Sequence, residues 1–287
     1  MVFSRSLLVV FCALFAYAQS ERGTITGTVR DQSGAIVPLA AVTITNQATN
    51  VAEHVTTNDA GEFTVPNLSP GLYRVRVEKQ GFRPSEERGL TLDAAQTVRA
   101  DANLQVGSST QAVEVEASAV SLQTEDAKSS VTLQNKLVND LPLVVSGTVR
   151  TPFDLAALTP DAKNVGGDEG FSIGGGQAAA YGTTLDGVSA NTSRALQKSW
   201  IASNSPSVEA IDQFTVDSGG YKAEYGHGAG VMAFVSKSGT NQFHGSAYEF
   251  LRNNDFDANN FFSNESGIAN SIYKQNDFGF TGGGPVW

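Results

Sequence analysis

The 287 residues carry 29 acidic and 19 basic side chains, a formal net charge of -10, with 40% hydrophobic and 17% charged residues. That length holds about two domains at about 100 to 200 residues each, and the composition is that of a folding chain, not a disordered one. An acidic background without a Lys/Arg cluster excludes a nucleic-acid footprint, so no nucleic acid is expected among the partners.

The chain opens with Arg5, an apolar run from Ser6 to Phe15, and the small-residue site Ala16-Tyr17-Ala18. This order spells a secretory signal over residues 1–18, cleaved before Gln19. A buried N-terminal helix would run longer and would not end at an A-x-A site. A lipidated Cys12 would need a small residue where Phe11 stands. Cys12 is the sole cysteine, so the exported chain has neither disulfides nor thiolate chemistry. No later stretch approaches the roughly 20 apolar residues of a membrane helix, which leaves a β-barrel as the way to cross a membrane.

From residue 19 to residue 105 the sequence alternates in twos between turn signals, as a β-sandwich does. Tyr73, Val75 and Val77 share one face of a strand, and Arg74, Arg76 and Glu78 share the other. Val98, Ala100, Ala102 and Leu104 repeat the pattern, and Ile25, Gly27 and Val29 open it. Turns are expected at Asp31-Gln32-Ser33-Gly34, Asn58-Asp59-Ala60-Gly61 and Ser69-Pro70-Gly71. The runs Gly23 to Asp31, Pro38 to Ile44, Thr57 to Phe63 and Leu68 to Tyr73 resemble the carboxypeptidase regulatory-like domain. That resemblance implies a non-catalytic prealbumin/Ig-like sandwich, grouped with carbohydrate-binding folds. A sugar-binding role would require an exposed aromatic platform, and Phe63 and Tyr73 fall at expected core positions.

Residues 106–120 read as a linker that contains a short extended segment, Val113, Glu114, Val115, Glu116 and Ala117. Exposed backbone there suits pairing with a strand from another protein. Residues 121–240 follow as a second domain. Leu133 to Pro142 and Thr151 to Pro160 look like short helices stopped by proline. Tyr181 to Ser189 carries a strand with the turn Asp186-Gly187, and Val208 to Val216 leads into Tyr225 to Thr240, where Tyr225, Gly226 and Gly230 stand. Glycines there let a curved sheet turn and approach neighbouring backbone. Together these runs resemble the plug domain of TonB-dependent outer-membrane receptors, with Asp186, Gly187, Tyr225, Gly226 and Gly230 as plug-motif positions. The same resemblance makes residues 113 to 117 a candidate TonB box.

Residues 241–287 resemble the start of the barrel in the Oar-like subgroup of these receptors, on Asn241 to Asn253, Asp257 to Phe262 and Asn276 to Val286. A transmembrane strand of roughly 9 to 11 residues has one lipid face, and Tyr248 and Phe250 are its candidates here. Plugged barrels have about 22 strands, and this sequence has room for about two. An open strand edge in lipid leaves unpaired N–H and C=O groups at several kcal/mol each, so the piece is expected to be a truncated receptor. The expected fold is therefore mainly β: a sandwich, a mixed α+β plug, and the first strands of a truncated transmembrane β-barrel. The resemblance implies an exported protein in the outer membrane of a Gram-negative bacterium, with sandwich and plug on the periplasmic side. It would pair with TonB and take up a bulky substrate such as a carbohydrate or peptide. No enzymatic activity and no cofactor are implied. The competing class is an exported carbohydrate-binding or adhesion protein working through the sandwich.

Other patterns weigh less. Gly170-Phe171-Ser172-Ile173-Gly174 matches G-x-S-x-G, with Asp186 and His227 in triad order, but no apolar strand precedes it and no helix start follows. The glycines at 174 to 176 lack the Lys-Ser/Thr of a phosphate loop. His54, His227 and His244 are too scattered for a metal site. Asp255, Asp257 and Asn259 alternate like calcium ligands, but Asn260 stands in the glycine place and Ser266 in that of the bidentate Glu. Asn191-Thr192-Ser193 is a glycosylation sequon by pattern alone.

Overall fold

A computed structural model describes residues 21–107, 113–116, 125, 128–134, 152–165, 171–190, 207–220 and 228–285. The first unit is built from β1 (Gly23–Asp31), β2 (Ala41–Asn46), β3 (Ala52–Thr56), β4 (Glu62–Leu68), β5 (Gly71–Glu78), β6 (Phe82–Arg83), β7 (Ser85–Leu92), β8 (Thr97–Arg99) and β9 (Ala102–Val106). One sheet runs β4-β1-β9-β6, with β8 also on β1. The other runs β7-β5-β2-β3 and is extended past β7 by β10 (Val113–Glu116).

The period-2 pattern places the core. Tyr73, Val75 and Val77 are buried between the sheets with Ile25, Val29, Val42, Ile44, Phe63, Leu92 and Leu104, each large side chain contributing about 1.5 to 3 kcal/mol. Val98, Ala100, Ala102 and Leu104 are all buried as the alternation requires, but the strand they occupy is interrupted. β8 and β9 lie parallel to β1 with the same offset, Thr24 opposite Thr97 and Val29 opposite Ala102. Between them Ala100 donates to the Thr26 carbonyl, and the Thr28 N–H donates to Asp101 Oδ1 at 2.8 Å. The break brings the Ala100 carbonyl against Gly27, where a Cβ would sit 2.0 Å from that oxygen and 2.8 Å from the Phe63 ring.

The second unit contains β11 (Ser129–Gln134), β12 (Ala162–Asn164), β13 (Phe171–Ile173), β14 (Gly182–Leu185), β15 (Val188–Ser189), β16 (Ile211–Gly219) and β17 (Val231–Ser236). Its main sheet runs β11-β16-β17-β14-β15, antiparallel except where β14 meets β17. The expected helix from Leu133 does not begin there: Leu133 and Gln134 end β11, and Leu133 is buried opposite Phe214. The alternating Ser-Ser-Val-Thr stretch ahead of it carries the strand pairing; residues 135–142 lie outside the described residues. The second expected helix is a 3₁₀ segment, Pro152–Leu158, ending just before Pro160, which cannot continue it. Phe153 from this segment packs on Phe234 at 4.5 Å between centroids, and Phe234 stacks on its cross-strand partner Phe214 at 4.7 Å.

β16 is buried on both faces. Phe214 and Val216 face the apolar core, while Gln213, Thr215 and Asp217 on the opposite face are buried as well. The register puts Thr215 and Thr184 both opposite Ala233, so Thr184 shares this polar face.

The last unit is an antiparallel hairpin of β18 (His244–Asn253) and β19 (Lys274–Gly283), paired along its full length. A short helix, Phe261–Glu265, N-capped by Asn260, lies in the connection. The register divides the hairpin's side chains between two faces. Tyr248 and Phe250 pair with Gly279 and Asp277, and they share their half-buried face with Ser246, Arg252, Gln275 and Thr281. The more exposed apolar side chains lie on the other face, beside Glu249 and Asn276: Leu251 at 64%, Phe278 at 74% and Phe280 at 86% exposure. Those two phenylalanines belong to β19, so β18 alone does not reveal the face.

Replacing Gly27 by alanine drives a methyl into the Ala100 carbonyl. Overpacking of this kind costs about 1 to 3 kcal/mol, and urea unfolding should show a loss in that range, whereas Gly239→Ala, with nothing within 4 Å of its Cβ position and a backbone outside the left-handed region, should cost less.

Candidate functional site

The candidate TonB-pairing segment lies on the sandwich. Val113, Glu114, Val115 and Glu116 form β10, parallel to β7, opposite Ser85, Glu86, Glu87 and Arg88 respectively. Ala117 lies outside the described residues. The sequence suggested freely exposed backbone; in the structure one edge of the segment is paired with β7, and β10 is the terminal strand of its sheet. Beside it, on β5 and β7, three arginines surround one buried carboxylate. Glu86 is ion-paired with Arg88 at 2.5 Å, Arg76 at 3.5 Å and Arg74 at 4.0 Å, and Arg76 also pairs with Glu78.

Of the plug-motif positions, Asp186 and Gly187 form the turn between β14 and β15, with φ of 51° and 78°. This is the left-handed pair that a two-residue hairpin turn needs. The Asp186 carboxylate accepts from the Ser236 N–H and hydroxyl, both at 2.8 Å, and so ties the turn to the end of β17. Gly230 is a close-approach site: a Cβ there would lie 2.4 Å from Ile173 Cγ2 and 2.8 Å from the Asp217 carbonyl. Tyr225 and Gly226 lie outside the described residues.

Residues that the sequence did not single out join the first two units. The buried polar face of β16 is covered by the sandwich loop that follows β7. Gln213 accepts from the Ala94 N–H at 3.0 Å and donates to Asp93 Oδ1 at 3.3 Å. Thr184 donates to Glu21 Oε1 at 2.6 Å, and Lys128 lies 3.7 Å from the Asp217 carboxylate. Burial raises the Asp93 carboxyl above its ordinary value, against the pull of Lys128 and a hydrogen bond from Gln134. Burial likewise raises Asp212, opposed by Lys237 and reinforced by Asp93. No sequence motif marks this joint; its only trace is the run of polar residues between apolar ones in Gln213-Phe214-Thr215-Val216-Asp217.

Among the described residues the remaining candidates do not come together. Ser172 donates its hydroxyl to the Gly176 carbonyl at 2.6 Å, Asp186 is engaged with Ser236, and His227 and Gly170 lie outside the described residues. His54 Nδ1 is 3.1 Å from Thr43, and His244 Nδ1 is 2.9 Å from the Gln242 carbonyl. Asp257 pairs with Arg252, while Asn259 donates to the Ile268 carbonyl. Among the described residues no three His, Cys, Asp or Glu side chains stand together as metal ligands. The sequon at 191 to 193 is outside the described residues. The aromatics of the sandwich are Phe63 and Tyr73, at 2% and 3% exposure, and Phe82, packed against the same core; these leave no platform for a sugar ring.

Residues 24–105 match the family model described as carboxypeptidase regulatory-like domain, and residues 235–287 match that described as outer membrane beta barrel domain. Over 283 residues, 94% of the chain, the sequence is 29% identical to the TonB-dependent transporter Oar of Myxococcus xanthus. The chain is similar to that transporter over nearly its whole length. It spans 26% of the relative's length. Among solved structures, the Bacillus anthracis TIE protein is 18% identical, with 30% of this chain and 16% of that chain covered and a TM-score of 0.26. Wild-type catechol 1,2-dioxygenase of Acinetobacter radioresistens is 12% identical, with 34% and 58% covered and a TM-score of 0.26. Likeness at these scores carries no argument about function.

The raised carboxyls give the joint a pH dependence of definite sign. A carboxyl whose folded pKa lies above its unfolded value penalises folding once it is ionised, so stability rises as pH falls through the folded pKa toward the unfolded value of about 3.8. Asp212→Asn removes one such penalty. Thermal unfolding at pH 7 should occur at a higher temperature than in the unaltered chain, and the gap should close toward pH 4.

Proposed function

We propose that this chain is the front part of a TonB-dependent outer-membrane transporter of the Oar kind. The sandwich and the β11-β16-β17-β14-β15 sheet, as the plug, lie on the periplasmic side, and the β18–β19 hairpin belongs to the barrel. The observation that carries the reading is the relationship to Oar along 94% of the chain, across all three units. The hairpin supports it. Its two strands are 10 residues each, within the roughly 9 to 11 that cross a bilayer when tilted, and Leu251, Phe278 and Phe280 stand exposed on one face, with Glu249 and Asn276 among them.

In this reading TonB pairs with residues 113 to 117 through main-chain hydrogen bonds and pulls on the chain leading into the plug. That force moves the plug and admits a bulky substrate, such as a carbohydrate or peptide, through a barrel in the outer membrane of a Gram-negative cell. The work is mechanical and no bond in the substrate is made or broken. Binding energy resides in backbone donors and acceptors, so side-chain identity in the segment matters less than its capacity to be a strand.

Proline at Val113 and Val115 removes two donors and leaves the charge unchanged. Pull-down of the chain by the periplasmic domain of TonB should be lost in Val113→Pro/Val115→Pro and kept in Gln32→Pro, the second residue of the turn closed by the Gly34 N–H on the Asp31 carbonyl, where proline fits. Equal capture of both would reject residues 113 to 117 as the pairing segment.

A further inference from the structure

We propose that the sandwich is a presenting platform: its β7 edge holds residues 113 to 116 as a preformed strand whose other edge is open to a strand from a periplasmic partner. The proposal deepens the TonB reading and rests on it. A β-strand directs alternate backbone N–H and C=O groups to its two edges. β10 uses one edge for its parallel register with Ser85 to Arg88 and closes the sheet order β10-β7-β5-β2-β3. Among the described residues nothing pairs with its second edge, and such an edge is a template for strand addition.

Two further observations favour this chain's own segment as the occupant of the β7 edge. The first is charge. Arg74, Arg76 and Arg88 cluster about Glu86 on β5 and β7, with Glu78 the further acid in that group. In register, Glu116 stands opposite Arg88, and Glu114 opposite Glu86, whose carboxylate the arginines already hold. The second is continuity. Glu125, nine residues past β10, is bound by Arg99 of β8 at 3.2 Å, so the chain is anchored to the sandwich on both sides of the stretch between them.

Docking changes what the partner must do. A free linker has to be ordered into an extended strand at the moment of capture, and that ordering subtracts from affinity. On the sandwich the ordering is already done. TonB would then add as the next strand of an existing sheet, and a pull on it would load the parallel β10–β7 ladder in shear, so that the sandwich feels the force before the plug does.

The test uses Val115→Cys/Glu87→Cys in the whole chain with Cys12→Ser, so that the introduced pair are the only thiols. Partner Cα positions on adjacent strands lie within disulfide reach, and mild oxidation should join them. Glu116→Cys/Glu87→Cys, one position off register and so on opposite faces, should remain reduced. Failure of the first pair to close, or equal closure of both, overturns the docked strand. Binding of the TonB periplasmic domain is then compared between the oxidised and reduced forms of the first variant. Presentation predicts that the oxidised form binds as tightly or more tightly. If the oxidised form loses binding that the reduced form retains, the strand must leave β7 to be captured; platform presentation is then wrong while the transport reading stands. If the unaltered chain itself binds no TonB, the transport reading fails and presentation to TonB with it.

Discussion

The structure depends most on the burial of β16 from both sides. Phe214 and Val216 on one face are met by Phe153, Phe234 and the β12–β13 pair, an ordinary apolar core. Gln213, Thr215 and Asp217 on the other are equally removed from water. Buried polar groups are costly without partners, so whatever covers this face must supply donors and acceptors at fixed positions. The sandwich does so with the Asp93 carboxylate, the Ala94 N–H and the Glu21 carboxylate, and Lys128 stands against Asp217. The sandwich is therefore a fitted lid on the second unit and not a bead on a flexible tether.

On the proposed transport reading, that arrangement shapes how the chain would respond to a pull. Residues 113 to 116 lie on one edge of the sandwich, while the joint uses the loop after β7, which meets β16, and Glu21, two residues before β1, which meets β14. Force applied at the first place reaches the second through a packed β-sandwich, whose interior is close-packed and transmits strain. Polar joints such as Gln213 with Asp93 separate at lower cost than the Phe214–Phe234 stack, because water can replace their hydrogen bonds. The raised Asp93 and Asp212 carboxyls add a charge cost to the closed joint at neutral pH.

The sandwich was largely legible from sequence because one of its two faces meets water, so alternation at Tyr73 to Glu78 reports burial directly. The break at Ala100-Asp101 was not legible: it depends on Asp101 replacing a backbone acceptor for Thr28, a contact between residues 73 apart. In the second unit, Asp186-Gly187 announced its turn, since few pairs tolerate two positive φ angles. Leu133 and Gln134 were read as the start of a proline-stopped helix and instead end β11, because a short strand declares itself only through its partner. The joint escaped altogether, as a polar residue buried by another domain looks in sequence like one facing solvent. On the hairpin, Tyr248 and Phe250 were legible as one face of β18, but the exposed Phe278 and Phe280 share the opposite face with Leu251 only through the pairing with β19.

The fitted-lid account is tested most directly by a double-mutant cycle between Asp93 and Gln213, using Asp93→Ala, Gln213→Ala and the pair, with stability read from urea unfolding of the whole chain. Side chains in one hydrogen-bonded network couple by about 0.5 to 3 kcal/mol, and the account predicts a coupling in that range. Additivity to within about 0.3 to 0.5 kcal/mol would mean that the two residues do not meet in solution and that the sandwich is not seated on β16.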